Sequence, residues 1–336
     1  MLVCVVERFD FKAVNELLEH VRCIGRRLTA AQPRELVVGN IIRRVLGLIR
    51  EVTENSPNND TNNDQESTAT KSSGPPSFLR DVLVSSISAA ATPPNYHAPN
   101  ANGSEFEHHD LLSMKDVKDD VLNGMQELLD ELDQADEQIA GYGVEHIHAN
   151  EVILTYTSSM TVQKFLLQVA RKRKFTVIQV EGYPNEHEET HATVISGRKK
   201  GHAEDMGYDV RLKPLTAAGI NVVVVPDSAV FAIMARVNKV ILPAHSVLSN
   251  GGLVAAAGTN IIAHAANFHH TPVIVIGAIY KLSPLYPYDE EALIEYGDSG
   301  KVFNYQEGDL VESLEVINPI HDYVPPELVD LFITNM

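Results

Sequence analysis

The stretch VNKVILPAHSVLSNGGLVAAAGTNIIAHAANFHHTPVIVIGAIY, from Val237 to Tyr280, decides the fold. Residues 240–242 form a short aliphatic block that ends at Pro243, and residues 273–276 form a second block. Neither block carries a charged side chain. This is typical of the central strands of a parallel sheet, because helices cover such strands on both faces.

The segment between the two blocks predicts a turn followed by a helix. Residues 244–252, AHSVLSNGG, contain the Asn-Gly-Gly sequence of a tight reversal. From Leu253 the residues are small, and helical spacing then joins Gly258, Ile261, Ile262, Ala265 and His269. Open parallel sheets bind ligands at the carboxyl ends of their strands, so we expect any active or ligand-binding site to include residues 244–252.

Composition limits the class of protein. With 336 residues, of which 44% are hydrophobic, the chain can bury one large core or two smaller ones. A formal charge of −18 argues against a protein that binds nucleic-acid phosphates. Cys4 and Cys23 do not form a disulfide framework, which favours a reducing compartment. The start MLVCVVERFDF lacks the features of a signal peptide, and no run approaches the roughly 20 apolar residues of a membrane span.

The first third of the chain is predicted to be helical. Two apolar stripes at helical spacing support this, and they contain Phe11, Val14, Leu17, Leu18 and Val21, then Val38, Ile41, Ile42, Val45, Leu46 and Ile49. Between them lies GRRLTAAQP, residues 25–33. Its Arg26 and Arg27 are suited to an anion at the next helix start, although a solvated turn or a salt bridge to a partner is the commoner use.

Two polar segments interrupt this helical part. Residues 53–77 and 92–107 contain almost no large apolar side chains, so we expect disorder there. A long helix is predicted from about Asp110 to Ala140, with an apolar seam formed by Met114, Val117, Val121, Met125, Leu128, Leu132, Ala135 and Ile139. We interpret it as a helix that joins two domains.

From residue 141 the pattern alternates between strands and helices. Strands are predicted at 151–155, 175–180 and 221–225, and helices at 160–174 and 228–236. The predicted fold class is therefore α/β, with a helical domain at 1–140 and a doubly wound, mostly parallel, Rossmann-like sheet at 141–336. No Gly-x-Gly-x-x-Gly follows a strand, so neither a dinucleotide nor another cofactor is expected.

One motif resembles a zinc site. His187-Glu188-Glu189-Thr190-His191 matches the spacing H-E-x-x-H, which binds zinc when it lies on a helix. Pro184 and Asn185 precede it and no amphipathic helix continues it, so we interpret it as a solvated loop without a metal. It lies in a segment, residues 183–214, that is predicted to be an insertion.

The stretch from Val237 to Tyr280 also carries a family resemblance. His-Ser-x-x-Ser-Asn-Gly-Gly at 245–252, followed by Gly-Thr-Asn at 258–260, resembles the superfamily of methylthioribose-1-phosphate isomerases and the regulatory subunits of eukaryotic translation initiation factor 2B. Further blocks are similar to the beta-subunit branch of that family, and they are GRRLTAAQP (25–33), EHIHANEVILT (145–155), ARKRKFTVI (170–178), FAIMARVNKVI (231–241), YKLSPLYP (280–287) and DYVPPELVDLFITN (322–335). The resemblance covers nearly the whole chain.

The resemblance also predicts that the isomerase chemistry is lost. The enzymes use a cysteine and an aspartate for proton transfer and an Asn-Lys pair for the sugar phosphate. The corresponding positions here hold Thr157, His245 and the pair Ala255–Ala256. A threonine hydroxyl is a poor general acid or base, so we expect no catalytic residue. The residues that shape the turn are kept, namely Asn250, Gly251, Gly258 and Thr259.

Two alternatives concern this degenerate site. His245 alone has a side-chain pKa suited to proton transfer, but without a paired acid a structural or interface histidine is favoured. A phosphate could still bind at a helix N-terminus near residues 251–253. The competing functions are therefore a sugar-phosphate aldose-ketose isomerase and a metabolite-binding module.

The resemblance implies a noncatalytic regulatory subunit of the guanine nucleotide exchange factor for initiation factor 2, in the cytosol. It implies pairing with a delta subunit, a core with alpha subunits, attachment of gamma and epsilon subunits, and recognition of factor 2 through its phosphorylated alpha subunit. No contact with nucleic acid or membrane is expected. We expect Asn150, Thr176 and Ile178, at the starts of neighbouring strands, to lie at or near the delta contact.

Overall fold

The structure is a computed structural model that describes residues 2–8, 11, 13–54, 107–157, 159–182, 214–303 and 314–336. The two predicted disordered segments and the predicted insertion, with its His187–His191 motif, lie outside the described residues apart from their ends. At those ends, Thr53 and Glu54 close one helix and Glu107 begins another.

The regular elements follow the predicted alternation. The helices are α1 (Leu2–Arg8), α2 (Val14–Ala31), α3 (Leu36–Glu54), α4 (Glu107–His146), α5 (Met160–Ala170), α6 (Val230–Met234) and α7 (Thr259–Phe268). The strands are β1 (Val152–Tyr156), β2 (Thr176–Glu181), β3 (Asn221–Pro226), β4 (Lys239–Pro243), β5 (Ser246–Val247), β6 (Leu253–Ala256), β7 (Val273–Ile276), β8 (His321–Val324) and β9 (Leu331–Ile333).

The chain divides into two compact units. The first contains Met1–Gln32 and Ile41–Leu129, and the second contains Pro33–Asn40 and Asp130–Met336. The predicted domain boundary, between residues 140 and 141, stays a prediction.

The first unit is a helical core in which the predicted stripes face each other. One contiguous cluster of buried side chains contains Val6, Leu17, Leu18, Val21, Val45, Ile49, Val117, Val121, Met125 and Leu128. The segment 25–31 continues α2 and is not a turn. There Arg26 pairs with Glu19 at 2.7 Å. Both side chains are exposed, so this ion pair contributes little to stability.

The second unit contains a parallel sheet of six strands. Its order is β3-β2-β1-β4-β7-β9, and every neighbouring pair is parallel. The chain therefore winds outward in both directions from β1 and β4, which confirms the predicted doubly wound fold.

Each face of this sheet is covered by helices. On one face α6 and α7 pack on Leu154, Val180 and Leu242. On the other, α5 and residues of α4 from Ala135 onward pack on Ile153 and Ile241. Successive side chains of a strand point to opposite faces, which explains why residues 152–154 of β1 and 240–242 of β4 are all apolar.

One prediction is wrong in detail. Leu253–Ala256 forms the strand β6, and the helix α7 starts only at Thr259. This strand lies in the middle of a second, antiparallel sheet with the order β5-β6-β8. Its partner β8 begins at His321, so the pairing that selects strand over helix is distant in sequence. Among the described residues, no helix combines the length and the apolar composition required to cross a bilayer.

Leu128 and its neighbour Leu129 test the seam of α4. Leu128 is 7% exposed in the helical core, whereas Leu129 is 41% exposed. We expect Leu128→Asp to lower the free energy of unfolding by about 3 kcal/mol or more, because it removes a buried side chain and buries a charge. Leu129→Asp is the matched control and should cost less than about 1 kcal/mol. Denaturant titration followed by circular dichroism measures both, and equal losses would contradict this assignment of the buried face.

Candidate functional site

The carboxyl edge of the sheet brings together the predicted degenerate positions. Thr157 follows β1 directly, and His245 lies two residues after β4. Because β1 and β4 are adjacent and parallel, both residues are at the same edge.

Two backbone hydrogen bonds to residues of β2 fix the conformation of Thr157. Its φ of 55° is left-handed, which is unusual for a β-branched residue. Its N–H donates to the Val180 carbonyl at 3.2 Å, and its own carbonyl accepts from Gln179 Nε2 at 2.7 Å. β2 therefore fixes the backbone at Thr157, which is predicted to correspond to the enzymes' cysteine and carries an alcohol side chain.

Tyr156 fills the space beside Thr157. Its hydroxyl donates to the carbonyl of Ala257, just before α7. A Cβ added to Gly182, after β2, or to Gly258, before α7, would overlap this hydroxyl. Burial raises the pKa of Tyr156, and nearby carboxylates, first Asp227, raise it further. The phenol thus stays protonated and acts as a packed hydrogen-bond donor between two glycines.

Asp322 occupies the N-terminus of α7. Its Oδ2 accepts from the N–H of Gly258 at 2.6 Å and from the N–H of Asn260 at 3.3 Å. Burial raises the pKa of this carboxyl, while the two N–H donors lower it. These are backbone donors that a phosphate would use at a helix N-terminus. The phosphate alternative placed the helix start near residues 251–253, which is wrong, and the actual start is capped by the protein's own carboxylate.

His245 lies in a cluster of two histidines and two glutamates. Its Nε2 is 3.4 Å from Glu35 Oε2, and its ring centroid is 4.5 Å from that of His321. His321 Nδ1 is 3.6 Å from Glu295 Oε2. The side chain of His245 is only 11% exposed. His245, at the position predicted to correspond to the enzymes' aspartate, therefore contacts another part of the same unit.

Residues 33–40 supply that part. Leu36 packs on the cluster of Leu248, Val254 and Tyr323. Asn40 Nδ2 donates to the carbonyls of Tyr280 and Leu282, at 3.0 and 2.7 Å. The segment thus contacts the region around His245 at three points: the Glu35 carboxylate beside the imidazole, the apolar side chain of Leu36, and the two hydrogen bonds of the Asn40 amide.

Lys281 is a further half-buried group at this edge. Its Nζ donates to the carbonyl of Ala244 at 2.8 Å. Burial lowers the pKa of Lys281, whereas Asp136 and then Glu35 raise it. The ammonium thus fixes the backbone next to His245.

The turn residues are kept for structural reasons. Asn250 Oδ1 accepts from the Gly252 N–H at 2.9 Å, and its Nδ2 donates to the Tyr323 hydroxyl at 2.7 Å. Gly251 has a φ of 83°. Ala255 and Ala256, which are predicted to correspond to the enzymes' Asn-Lys pair, are buried in β6 opposite Asp322 and His321.

The predicted delta contact lies at the other edge of the sheet. Asn150 is exposed with a φ of 63°, and its N–H donates to the Lys174 carbonyl at 2.7 Å. Thr176 begins β2 and is half-buried. Ile178 is only 8% exposed and packs in the core. The assignment of these residues to a contact stays a prediction.

The described residues contain no group of three or more His, Cys, Asp or Glu side chains that could hold a metal ion. Sequence reasoning missed Tyr156, Asp322 and the Glu35–His245 pair. The sequence offered one signal for these contacts, the glycine Gly258 directly before a helix. Such a glycine indicates that another group lies close to the backbone, but it does not identify that group. Glu35 and Asp322 are far from the motif in sequence.

Comparison with known proteins decides the family. The chain matches the model of the Initiation factor 2 subunit family over residues 1–201 and 205–336. The chain belongs to this family. It is 38% identical to translation initiation factor eIF2B subunit beta of Schizosaccharomyces pombe, over 99% of this chain and 84% of the relative. The beta subunit of Dictyostelium discoideum is 37% identical over 96% of this chain and 80% of the relative. The predicted resemblance to beta subunits is confirmed.

Solved structures of family members agree. The crystal structure of eIF2B beta from Chaetomium thermophilum has a TM-score of 0.61 at 29% identity, covering 99% of this chain and 76% of that chain. The crystal structure of the tetrameric eIF2B-beta2-delta2 complex from C. thermophilum has a TM-score of 0.65 at 31% identity, covering 99% of this chain and 80% of that chain. A delta subunit, from D. discoideum, is 28% identical over 66% of this chain and 35% of its own length.

Gly258→Ala tests the packing of Tyr156. Gly258 and Gly219 both have positive φ, but nothing lies within 4 Å of a Cβ at Gly219. We expect Gly219→Ala to cost about 1–2 kcal/mol of unfolding free energy, from the left-handed backbone alone. Gly258→Ala should cost at least about 2 kcal/mol more, because its Cβ overlaps the Tyr156 hydroxyl. Adding Tyr156→Phe should recover part of that difference in denaturant titrations. Equal losses at the two glycines would show that the hydroxyl does not fill this space.

Proposed function

We propose that this chain is a noncatalytic, beta-type regulatory subunit of the guanine nucleotide exchange factor for initiation factor 2. The observation that carries the proposal is the similarity to beta subunits over almost the whole chain. This similarity extends over almost the whole chain and therefore does not depend on how the carboxyl edge of the sheet is interpreted.

The geometry of the carboxyl edge supports the absence of isomerase catalysis. A sugar-phosphate isomerase needs a proton-transfer pair and an anchor for the phosphate. Here Thr157 supplies an alcohol, His245 lies beside Glu35, and Asp322 takes the amides at the start of α7. Tyr156 fills the adjacent space. An anionic substrate would meet a carboxylate where it needs a cation or free N–H groups.

In this role the chain acts through assembly. It pairs with a delta subunit, forms a core with alpha subunits, and carries the gamma and epsilon subunits. The assembled surfaces bind initiation factor 2 in the cytosol and sense phosphorylation of its alpha subunit. The related C. thermophilum complex supports the first step, since it contains two beta and two delta chains.

Co-expression tests this function. We expect the chain alone to self-associate or to be poorly soluble, because an apolar contact surface is left exposed. With the delta subunit of its own organism it should form a stable complex, measured by size-exclusion chromatography with light scattering. A chain that is a monodisperse monomer at micromolar concentration and forms no complex with the delta subunit would overturn the proposal.

An isomerase assay tests the loss of chemistry. Neither the wild type nor the double variant Thr157→Cys, His245→Asp should convert methylthioribose 1-phosphate to the ketose. The variant restores both proton-transfer groups. It does not restore phosphate binding, because Asp322 occupies the amides at the start of α7 and Ala256 replaces the lysine that would hold the phosphate. A characterised methylthioribose-1-phosphate isomerase is the positive control. Turnover by either form would show that the site is a working enzyme.

A further inference from the structure

Residues 33–40 contact the α/β part of their unit beside a pair of stacked histidine rings. The ring centroids of His245 and His321 are 4.5 Å apart, with an angle of 38° between the ring planes. Each ring has a carboxylate beside it. His245 Nε2 is 3.4 Å from Glu35 Oε2, and His321 Nδ1 is 3.6 Å from Glu295 Oε2. We call these four residues the histidine–glutamate cluster.

The histidine–glutamate cluster is largely shielded from water. The side chains of His245 and His321 are 11% and 8% exposed, and those of Glu35 and Glu295 are 21% and 30% exposed. Charges at such positions interact more strongly than they would in bulk water, because the effective dielectric constant is lower and salt screens them less. The protonation of the two imidazoles therefore affects how firmly residues 33–40 are held.

The net charge of the cluster depends on pH. An ordinary glutamate titrates at about pH 4.3 and an ordinary imidazole at about pH 6.5, so the two kinds of group are both charged only between these values. At higher pH the two carboxylates face neutral rings, and partly buried carboxylates without a cation are costly. The first proton that enters the ring pair contributes most, because two imidazolium rings 4.5 Å apart repel each other.

Lys281 supplies a further positive charge near the cluster, but it is shared. Its Nζ donates to a backbone carbonyl at 2.8 Å. Burial lowers the pKa of Lys281, whereas Asp136 and then Glu35 raise it, so one ammonium interacts with two carboxylates. With both imidazoles neutral, the charges of Glu35 and Glu295 would therefore be only partly balanced.

Two more charged side chains are next to members of the cluster in sequence. Arg34 precedes Glu35 and is exposed, so solvent screens its guanidinium. Asp322 follows His321 on β8, but its carboxylate accepts from the N–H groups at the start of α7. Neither side chain replaces a proton on the imidazole pair.

The contact between Glu35 and His245 holds the beginning of a helix. Glu35 lies directly before α3, which starts at Leu36. The other two points of contact do not titrate, since Leu36 packs in an apolar cluster and Asn40 donates to two backbone carbonyls. A change in pH therefore alters one of three contacts, which loosens the segment without detaching it.

We propose that the histidine–glutamate cluster is a pH-sensitive contact, in which protonation of His245 strengthens its pairing with Glu35 and orders residues 33–40. The stabilisation is fully present below the ordinary titration range of imidazole and is lost as rising pH removes the proton from the folded protein. Near neutral pH, small changes in pH change the protonated fraction. The contact lies wholly within this chain and is thus independent of the proposed function.

Hydrogen exchange measures this contact in the full chain, co-expressed with the delta subunit of its own organism. Exchange is followed at about pH 6 and about pH 8, on either side of the imidazole range, and corrected for the intrinsic effect of pH on amide exchange. Protection of residues 36–40 should fall about tenfold at the higher pH, as expected for the loss of a partly buried ion pair. Residues 239–243 of β4 report the sheet and should be equally protected at both pH values.

Three substitutions separate charge from packing. His245→Gln is polar but never charged, so residues 36–40 should have low protection at both pH values. His245→Lys is charged at both, so their protection should be high at both. His264→Gln is the matched control, because His264 is exposed on α7 and lies outside the cluster. It should keep the pH dependence of the wild type.

The contrary outcomes are distinct. Equal protection of residues 36–40 at both pH values in the wild type would overturn the proposal, and so would pH dependence that survives in His245→Gln. An equal fall in β4 would overturn it too, since the sheet itself would then be opening. Glu35→Gln gives a second route if His245→Lys does not fold, because it removes the carboxylate and should abolish the pH dependence. If the wild type does not bind delta, the proposed function fails, and the same measurement on the chain alone tests the contact.

Discussion

The central strands β1 and β4 must be covered on both faces, and most of the second unit follows from this constraint. Ile153 and Thr155 point to the α5 side, whereas Leu154 and Tyr156 point to the α6–α7 side. Backbone polar groups inside the sheet are paired along the parallel ladders. The helices therefore need apolar inner faces, and α7 meets that need with small residues that bring its backbone close to the sheet.

The sequence predicts this part of the fold because the signal is local. Short apolar blocks that are separated by helical repeats indicate the class of sheet without any distant contact. The strand β6 is not predicted, because its formation depends on a contact that is distant in sequence. LVAA is compatible with helix or strand, and its partner β8 lies more than 60 residues later. The predicted bounds of α5 and α6 are also too long, since the ends of helices depend on packing rather than on periodicity.

The candidate site divides in the same way. Thr157 and His245 can be proposed from sequence because they lie next to strand ends within one recognisable pattern. The groups that close the site cannot, because Glu35 and Asp322 come from opposite ends of the sequence. Their roles depend on three-dimensional proximity. A carboxylate is ordinary in a polar stretch, and only the geometry shows that its oxygen accepts two N–H groups at the start of α7.

The polar groups at the carboxyl edge are paired within the protein itself, which favours a stable fold. A binding site for a charged substrate leaves donors and cavities unsatisfied until the substrate arrives, which costs stability. Here the amides of Gly258 and Asn260 are bonded to Asp322, the space beside them holds Tyr156, and His245 has Glu35 beside it. Each of these groups therefore has an intramolecular neighbour. The same sheet edge thus becomes part of the packed scaffold, and the outer faces of the unit remain available for contacts with other chains.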